Sequence, residues 1–228
     1  MIHNNGWHNY NIWEHSATVC DLYTRRCRLE AEEMTCHKQA VALLEPYVSP
    51  GDLLLDVGCG SGYFFHSLRK RSIPVEYWGI DATELLIEIG RQHLPTFGLP
   101  SHHLCPIRIE DLDGEADHVV CINVLSNLDN YHRPLERLLN VAKKTIILRE
   151  SLGQTSEYAY VVDRFLDNGI ELKVYVNTYS IQEVCDFISS YGFQVKSVPD
   201  EHTGDVPEMV IGYPHHWRFV VGVRQENK

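Results

Sequence analysis

The residues best suited to chemistry form a glycine turn, in which Gly58, Gly60 and Gly62 follow an apolar run that ends in Asp56. This pattern predicts a buried parallel strand, a tight turn and a helix. Glycine suits such a turn because a Cβ would block its backbone angles and would hold a ligand away from the main-chain amides. The free N–H groups at the start of the helix then face negative charge. We therefore predict that the turn cradles a nucleotide.

The spacing after the turn bears on which nucleotide is bound. A dinucleotide fingerprint requires Gly or Ala three places after its second glycine, but here Tyr63 follows Gly60 at that spacing. This departure weakens the hypothesis of an NAD-dependent oxidoreductase without removing it. A second acid, Asp81, ends the next short apolar strand, where a carboxylate can accept hydrogen bonds from both hydroxyls of a ribose. The structural alternative makes the glycine segment an ordinary turn and Asp81 a helix cap.

The segment from Asp56 to Gly62, Asp-Val-Gly-Cys-Gly-Ser-Gly, resembles the first motif of class I S-adenosylmethionine-dependent methyltransferases. The resemblance covers the chain from about Leu43 onward and implies S-adenosylmethionine as cofactor and S-adenosylhomocysteine as product. It implies an α/β fold class, with a doubly wound, mostly parallel seven-stranded Rossmann-like sheet, an antiparallel C-terminal strand and an N-terminal helical extension. The residues that it implies for cofactor binding are Asp56, Gly58, Cys59, Gly60, Gly62, Asp81, Ala82, Ile109, Glu110, Asp111, Ile122 and Asn123.

Along the chain, short apolar runs that predict strands alternate with segments whose apolar residues have helical spacing, as this fold requires. They predict strands at 53–57, 77–81, 105–109, 116–125 and 145–150, then a helix through 181–191 and two closing strands at 193–198 and 217–223. Two features depart from the family pattern. Arg108 stands where many members have an acid, so the group that meets the adenine amine stays open. Ser126-Asn127 replaces the Glu-His pair of many relatives, so no catalytic role transfers from that pair.

Two flanking segments complete a single predicted domain over residues 1–228. Residues 1–47 are rich in helix formers and form the N-terminal helical extension, with two helices before the first strand. Residues 151–179 are rich in tyrosine and longer than a simple connection. We predict that they form a helix and an extended strand inserted at the ligand edge of the sheet, as a cap over the substrate.

Charge and cysteine content bear on the partners and the location of the protein. The chain has 20 Lys and Arg against 31 Asp and Glu, for a formal net charge of -11. A general nucleic-acid or anionic-membrane surface is disfavoured because both require clustered cations. The seven cysteines are odd in number and show no two-residue spacing. Buried, reduced thiols and a cytoplasmic location are therefore expected.

The remaining signals are absences in the sequence. Residues 1–6 lack a basic region followed by an apolar core, and no apolar run is long enough to span a bilayer. Neither export nor membrane anchoring is expected. The adjacent His102 and His103 have no acid or cysteine at ligand spacing, so no metal site is expected either.

The family resemblance implies in-line attack of an acceptor on the sulfonium methyl, for which alignment supplies most of the acceleration. A base is needed only where the nucleophile is protonated, and His132, after the fourth strand, is our candidate for it. Comparable guesses are Tyr23, Glu150, His215 and His216. We expect a small-molecule acceptor with an oxygen or nitrogen nucleophile. The alternatives are a macromolecule-directed methyltransferase and a catalytically silent S-adenosylmethionine-binding protein, and the oligomeric state stays open.

Overall fold

The computed structural model describes residues 8–225. Within this range the α-helices are α1 (Ala17–Cys27), α2 (Thr35–Leu44), α3 (Phe64–Lys70), α4 (Glu84–His93), α5 (His132–Val141) and α6 (Ile181–Ser190). The strands are β1 (Leu53–Val57), β2 (Glu76–Asp81), β3 (Leu104–Pro106), β4 (Ala116–Ile122), β5 (Ala142–Gly153), β6 (Tyr160–Val162), β7 (Lys173–Tyr175), β8 (Tyr179–Ser180), β9 (Phe193–Pro199), β10 (Glu208–Val210), β11 (Tyr213–His215) and β12 (Trp217–Arg224).

The main sheet has the strand order β3-β2-β1-β4-β5-β12-β9, and the short β8 pairs with the end of β5. Strand β12 runs antiparallel to both of its neighbours, while the pairs from β3 to β5 are parallel. The direction of winding reverses between β1 and β4, which opens a crevice at the carboxyl ends of these strands. The predicted fold class, with its antiparallel C-terminal strand, is confirmed.

Helices cover both faces of the sheet because its central strands are apolar on both sides. Leu54 of β1 packs with α2, α3 and α4, whereas its neighbour Leu55 packs with α5 and α6 on the opposite face. Both leucines are buried. Successive side chains of each strand thus pack into two hydrophobic cores, one on each face of the sheet. These cores hold the strand ends in place.

The N-terminal extension contains the two predicted helices, although its residues 1–7 lie outside the described part of the chain. Helix α1 begins later than predicted, after the single-turn 3-10 helices His8–Tyr10 and Ile12–Glu14. The reason is local: the Ser16 hydroxyl accepts a hydrogen bond from Val19 N and caps α1 at this point. Helix α1 then packs across α4.

Three strands differ in length from the prediction by more than one residue, and one of them is β4, which ends at Ile122 and not at residue 125. Strand β3 ends at Pro106, and Ile109–Asp111 forms a 3-10 turn instead of continuing the strand. Proline interrupts the ladder because it has no N–H to donate. Strand β5 extends to Gly153, well past the predicted end, because β12 pairs along it as far as Ser151 and β8 pairs with its last residues.

Two hairpins lie outside the main sheet. In the segment 151–179 the structure has no α-helix, which corrects the prediction, and β6 pairs antiparallel with β7. The turn between these strands includes Gly169 at φ 88°, a conformation that favours glycine. A second hairpin, β10–β11, precedes β12 and was not predicted. Both hairpins lie at the ligand edge of the sheet.

The seven cysteines are all free thiols. None of the helices in residues 8–225 is long and apolar enough to cross a membrane.

Candidate functional site

A cavity of about 630 Å³ opens at the crevice where the sheet winding reverses. Its walls combine the ends of β1, β2 and β4 with α1 and both hairpins. From the residues expected to bind a cofactor, it brings together Asp56, Gly58, Cys59, Asp81, Ala82, Ile109, Glu110, Ile122 and Asn123. Within the described chain, Gly60, Gly62 and Asp111 do not line it.

The glycine turn adopts left-handed backbone angles, with φ of 72° at Gly58 and 57° at Gly60. A Cβ at Gly58 would lie 2.2 Å from Cγ2 of Val124. At Gly60 it would lie 2.3 Å from Cε1 of Tyr23. Because neither position has room for a side chain, the turn must keep bare backbone next to the cavity.

Gly62 has a different role from the one expected. A Cβ there would lie 2.6 Å from Cδ2 of Leu104, a side chain of the core and not of the cavity. Gly62 also has φ 77°. It therefore serves the close packing of the turn against the sheet and does not face a ligand.

Asp81 joins the end of β2 to the glycine turn. One carboxylate oxygen accepts a hydrogen bond from Gly60 N at 2.8 Å, and the other accepts from Thr83 N at 2.7 Å. Burial raises the pKa of Asp81, against the lowering effect of these two amides. The carboxylate lines the cavity, and a carboxylate has enough acceptor sites to bind ribose hydroxyls in addition to these amides.

Asp56 lies deeper, behind the turn, with only 4% of its surface exposed. Its Oδ2 accepts a hydrogen bond from the Tyr77 hydroxyl at 2.7 Å. Burial raises the pKa of Asp56 to about 7, although this hydrogen bond lowers it. The carboxyl group is thus balanced between its neutral and charged forms near neutral pH.

Asn123 ends β4 in a left-handed conformation, at φ 61°. Its Oδ1 accepts a hydrogen bond from Nη1 of Arg149 at 2.5 Å, and Arg149 Nε donates to Oδ2 of Asp200 at 2.7 Å. Both members of this ion pair are buried. The pair fixes Asn123 at the cavity wall. It joins β5 to Asp200, 51 residues further along the chain, so no local motif indicates it.

The residues after β3 divide between cavity and solvent. Ile109 is buried and lines the cavity. Glu110 also reaches the cavity, and its carboxylate lies 3.4 Å from Nε of Arg108. Asp111 is exposed and points away from the cavity. Of the three residues expected to contact the adenine, Ile109 and Glu110 therefore line the cavity and Asp111 does not.

His132 does not reach the cavity. It is the first residue of α5, it is exposed, and its ring stacks on Tyr131 at 4.1 Å and meets Phe187 edge-on at 5.6 Å. The start of α5 points this ring toward α6 and away from the crevice. The structure therefore does not support the predicted role of His132 as the base.

Glu150, another suggested base, has a structural role. Its two carboxylate oxygens accept hydrogen bonds from the backbone amides of Val124, Leu125 and Ser126 and from the Ser126 hydroxyl, at 2.8–3.0 Å. With 1% of its surface exposed, it holds the 3-10 turn Leu125–Asn127 beneath β4. A carboxylate committed to four donors is not free to take a proton from a ligand.

The far half of the cavity is rich in aromatic and polar side chains. Tyr160 and Tyr175 of the β6–β7 hairpin stack at 4.4 Å, and Trp217 lies at the start of β12. Further polar and aromatic residues that line the cavity are Tyr10, Trp13, Asn127, Asp163, Lys173 and His215. Only the tyrosine content of residues 151–179 indicated this wall in the sequence.

The N-terminal extension closes the near half. Arg26 of α1 donates to the hydroxyl of Tyr63 at 2.8 Å, and that hydroxyl donates to Sδ of Met34 at 3.0 Å. His37 stacks on Tyr63 at 4.9 Å. These four side chains line the cavity together with Tyr23. Among the described residues, no group of three or more His, Cys, Asp or Glu could hold a metal ion.

Comparisons with known proteins agree with this geometry. Residues 55–145 match a family model described as a methyltransferase domain. The chain is similar to a ribosomal protein L11 methyltransferase of Caldanaerobacter subterraneus subsp. tengcongensis, with 30% identity over 91 residues, covering 40% of this chain and 29% of that protein. A tRNA U34 carboxymethyltransferase of Trichlorobacter lovleyi is 32% identical over 109 residues, covering 43% of this chain and 31% of that protein. The matched segments thus span less than a third of these curated relatives.

A solved structure of magnesium protoporphyrin IX methyltransferase from Synechocystis PCC 6803, with bound SAM, has a similar fold. The TM-score is 0.61 at 16% identity, and the match covers 95% of both chains. This likeness concerns the fold. Residues 55–145 therefore match a methyltransferase domain, and they lie within a fold similar to that of a methyltransferase solved with bound SAM.

Proposed function

We propose that this chain transfers the methyl group of S-adenosylmethionine to a small-molecule acceptor. The observation that carries the proposal is that one cavity joins the glycine turn to a second half lined by Tyr160, Tyr175 and Trp217. A cofactor and a flat organic acceptor would therefore share one space. Its volume of about 630 Å³ falls in the range of small-molecule sites.

The residues present fit the cofactor. The backbone at Gly58 and Gly60 leaves no room for side chains, so a charged methionine part can approach the amides. Asp81 would accept hydrogen bonds from the ribose hydroxyls. Asp56 would balance an ammonium group, and Ile109 would contact the adenine from its apolar side. Each of these residues lines the cavity except Gly60, which supplies backbone behind Asp81.

When bound, S-adenosylmethionine supplies a methyl group already activated by the positive sulfur. The protein then has to align the acceptor and exclude water. Asn123, held by Arg149 just after β4, lines the cavity and would orient an acceptor. The β6–β7 hairpin would cap the substrate, because Tyr160 and Tyr175 line the far half of the cavity, which we call the acceptor half.

A macromolecular acceptor is the second candidate. Phe165 and Met209 of the two hairpins are exposed, with accessible fractions of 67% and 63%, and so is Tyr158, just before β6, at 57%. Apolar side chains exposed together on neighbouring loops favour a docking surface for another molecule. The similar proteins named as ribosomal protein L11 methyltransferase and tRNA U34 carboxymethyltransferase also favour this second candidate.

Two experiments test the proposal in sequence. Calorimetric titration with S-adenosylmethionine, S-adenosylhomocysteine and NAD should show binding of the first two, and binding of NAD alone would contradict the cofactor assignment. Methyl-labelled S-adenosylmethionine is then incubated with fractionated metabolites, protein and RNA. Label in the small-molecule fraction supports the proposal, and label only in protein or RNA favours the second candidate. Binding without label in any fraction would indicate a catalytically silent protein.

A further inference from the structure

His215 occupies a position in the acceptor half that no strand-end motif predicts. Strand β12 is antiparallel, so its first residues lie at the same edge of the sheet as the carboxyl ends of the parallel strands. His215 ends β11, two residues before Trp217, and lines the cavity with 2% of its surface exposed. Its neighbour His216 is partly exposed and does not line the cavity.

The hydrogen bonding of His215 defines which ring nitrogen is free. Its Nδ1 lies 3.2 Å from the carbonyl oxygen of Tyr213. A carbonyl can only accept, so Nδ1 carries the proton and Nε2 is the bare acceptor nitrogen of a neutral imidazole. Within residues 8–225 no group is hydrogen-bonded to Nε2 of His215. The imidazole is thus fixed in orientation and has one basic nitrogen available.

Charged groups surround this imidazole. Burial lowers the pKa of His215, while Glu208 raises it and His216 and Arg149 lower it. Asp163 and Lys173 also line the cavity. Burial therefore keeps the ring neutral at physiological pH, the form that can accept a proton.

Trp217 provides a flat surface beside the basic nitrogen. Its ring centroid lies 4.8 Å from that of His215, and the guanidinium carbon of Arg149 lies 4.5 Å from the indole centroid. The indole N–H donates to Glu208 at 2.7 Å, which fixes the ring plane. His215 and Arg149 pack on this ring and leave 8% of the Trp217 surface exposed, so an aromatic acceptor would contact only the exposed part of the indole at the cavity wall, close to His215.

We propose that His215 is the general base for an aromatic hydroxyl acceptor, an inference that rests on the proposed function. The phenolic O–H bond breaks as its proton passes to Nε2. The oxygen forms a bond to the methyl carbon, the carbon–sulfur bond breaks, and S-adenosylhomocysteine leaves with the electron pair on sulfur. The imidazolium of His215 then releases its proton to solvent.

The acceptor class follows from the need for a base. A phenol has a pKa near 10 and is mostly protonated at neutral pH, so its methylation gains from proton removal. A neutral aromatic amine already presents a lone pair and would gain little. A bare, oriented imidazole nitrogen in the acceptor half therefore fits a hydroxyl better than an amine.

The test compares the wild type with His215→Asn and with the matched neighbour variant His216→Asn. The probes are substituted phenols that span a range of pKa values, assayed with methyl-labelled S-adenosylmethionine across pH. The Asn side chain can still donate to the Tyr213 carbonyl but has no basic nitrogen at the Nε2 position. We expect His215→Asn to lower kcat by about 100-fold or more for weakly acidic phenols. We expect smaller losses for acidic phenols, and unchanged affinity for S-adenosylhomocysteine.

Several results would overturn the proposal. The base role fails if His215→Asn keeps wild-type kcat, or if it loses the same factor for every phenol regardless of acidity. Nitrogen-15 spectra that place the proton of His215 on Nε2 would contradict the assigned tautomer. Binding of S-adenosylmethionine without methylation of any phenol would refute the acceptor class and leave the proposed function standing. Absence of cofactor binding would refute both.

Discussion

The ring of Tyr23 lies against the backbone of Gly60 so closely that a Cβ at position 60 would stand 2.3 Å from Cε1 of the tyrosine. Helix α1, which carries Tyr23, therefore forms part of the wall around the glycine turn. The amide of the same glycine donates to Asp81 at 2.8 Å. One residue thus joins the N-terminal extension, the turn and the end of β2.

Substitutions of Gly60 and Gly98 should separate the steric effect of a side chain on cofactor binding from the effect of backbone strain on stability. We expect Gly60→Val to abolish S-adenosylmethionine binding in calorimetry, because the side chain would displace Tyr23 and the amide that Asp81 accepts from. Gly98→Ala is the matched control, since Gly98 has φ 98° but nothing within 4 Å of an added Cβ. It should lose only about 1–2 kcal/mol of unfolding free energy from backbone strain and keep its cofactor affinity.

Removal of the Asp81 carboxylate should weaken binding without unfolding the protein. We expect Asp81→Ala to reduce the affinity for S-adenosylmethionine by about 1.5–3 kcal/mol, the scale of lost charge-assisted hydrogen bonds. Asp111→Ala serves as control, because Asp111 is exposed and does not line the cavity. Equal affinities of the Asp81 variant and the wild type in calorimetry would exclude Asp81 from the site.

The stability of the protein should depend on the ionisation of Asp56. Its pKa of about 7 in the folded state exceeds the ordinary value of 3.8. A raised carboxyl pKa means that the folded state binds the proton more tightly than the unfolded state. The contribution of Asp56 to the unfolding free energy is therefore greatest below about pH 4, decreases as the pH rises toward 7 and is constant above that pH. In urea unfolding, the unfolding free energy of Asp56→Asn relative to that of the wild type should increase over this pH range, by up to about 4 kcal/mol.

A second variant sharpens the Asp56 prediction. Tyr77→Phe removes the hydrogen bond that stabilises the charged carboxylate, while the carboxyl group stays buried. The pH at which stability levels off should therefore move upward relative to the wild type. Parallel stability curves for Asp56→Asn and the wild type between pH 4 and 7 would show that Asp56 titrates normally.

Glu150 should be required for folding and not for proton transfer. Glu150→Gln replaces one acceptor oxygen with an amide that faces existing donors, so we expect a loss of about 2–4 kcal/mol in unfolding free energy. Glu115→Gln is the control, because its ion pair with Lys143 is exposed and should contribute less than about 1 kcal/mol. Equal urea midpoints for the two variants would contradict the structural role.

His132 should be dispensable for binding and chemistry. Its exposed ring contacts Tyr131 and Phe187 outside the cavity, so we expect His132→Ala to keep the cofactor affinity and the methyl-transfer rate. Lost ring packing should cost less than about 1 kcal/mol of stability. A large fall in kcat with intact cofactor binding would restore His132 as a candidate base.

Much of the fold could be predicted because its signals are local. The apolar run before Asp56, the glycines after it and the second acid at Asp81 lie within single strand–turn units, where spacing alone defines geometry. The same logic located Ile109 and Asn123 in the segments that follow β3 and β4 and that line the cavity. It failed for Asp111 because one step along a 3-10 turn rotates a side chain from the cavity to solvent.

The amino-acid sequence by itself determined the alternation of strands and helices, the glycine turn and the acids around it, because these depend on residues close together in the chain. Only the tertiary structure decided what surrounds the acceptor. The Arg149–Asp200 ion pair, the Tyr23 contact with Gly60 and the placement of His215 depend on which strands become neighbours. Such contacts arise from the packing of distant segments, and one sequence carries no local periodicity that reports them.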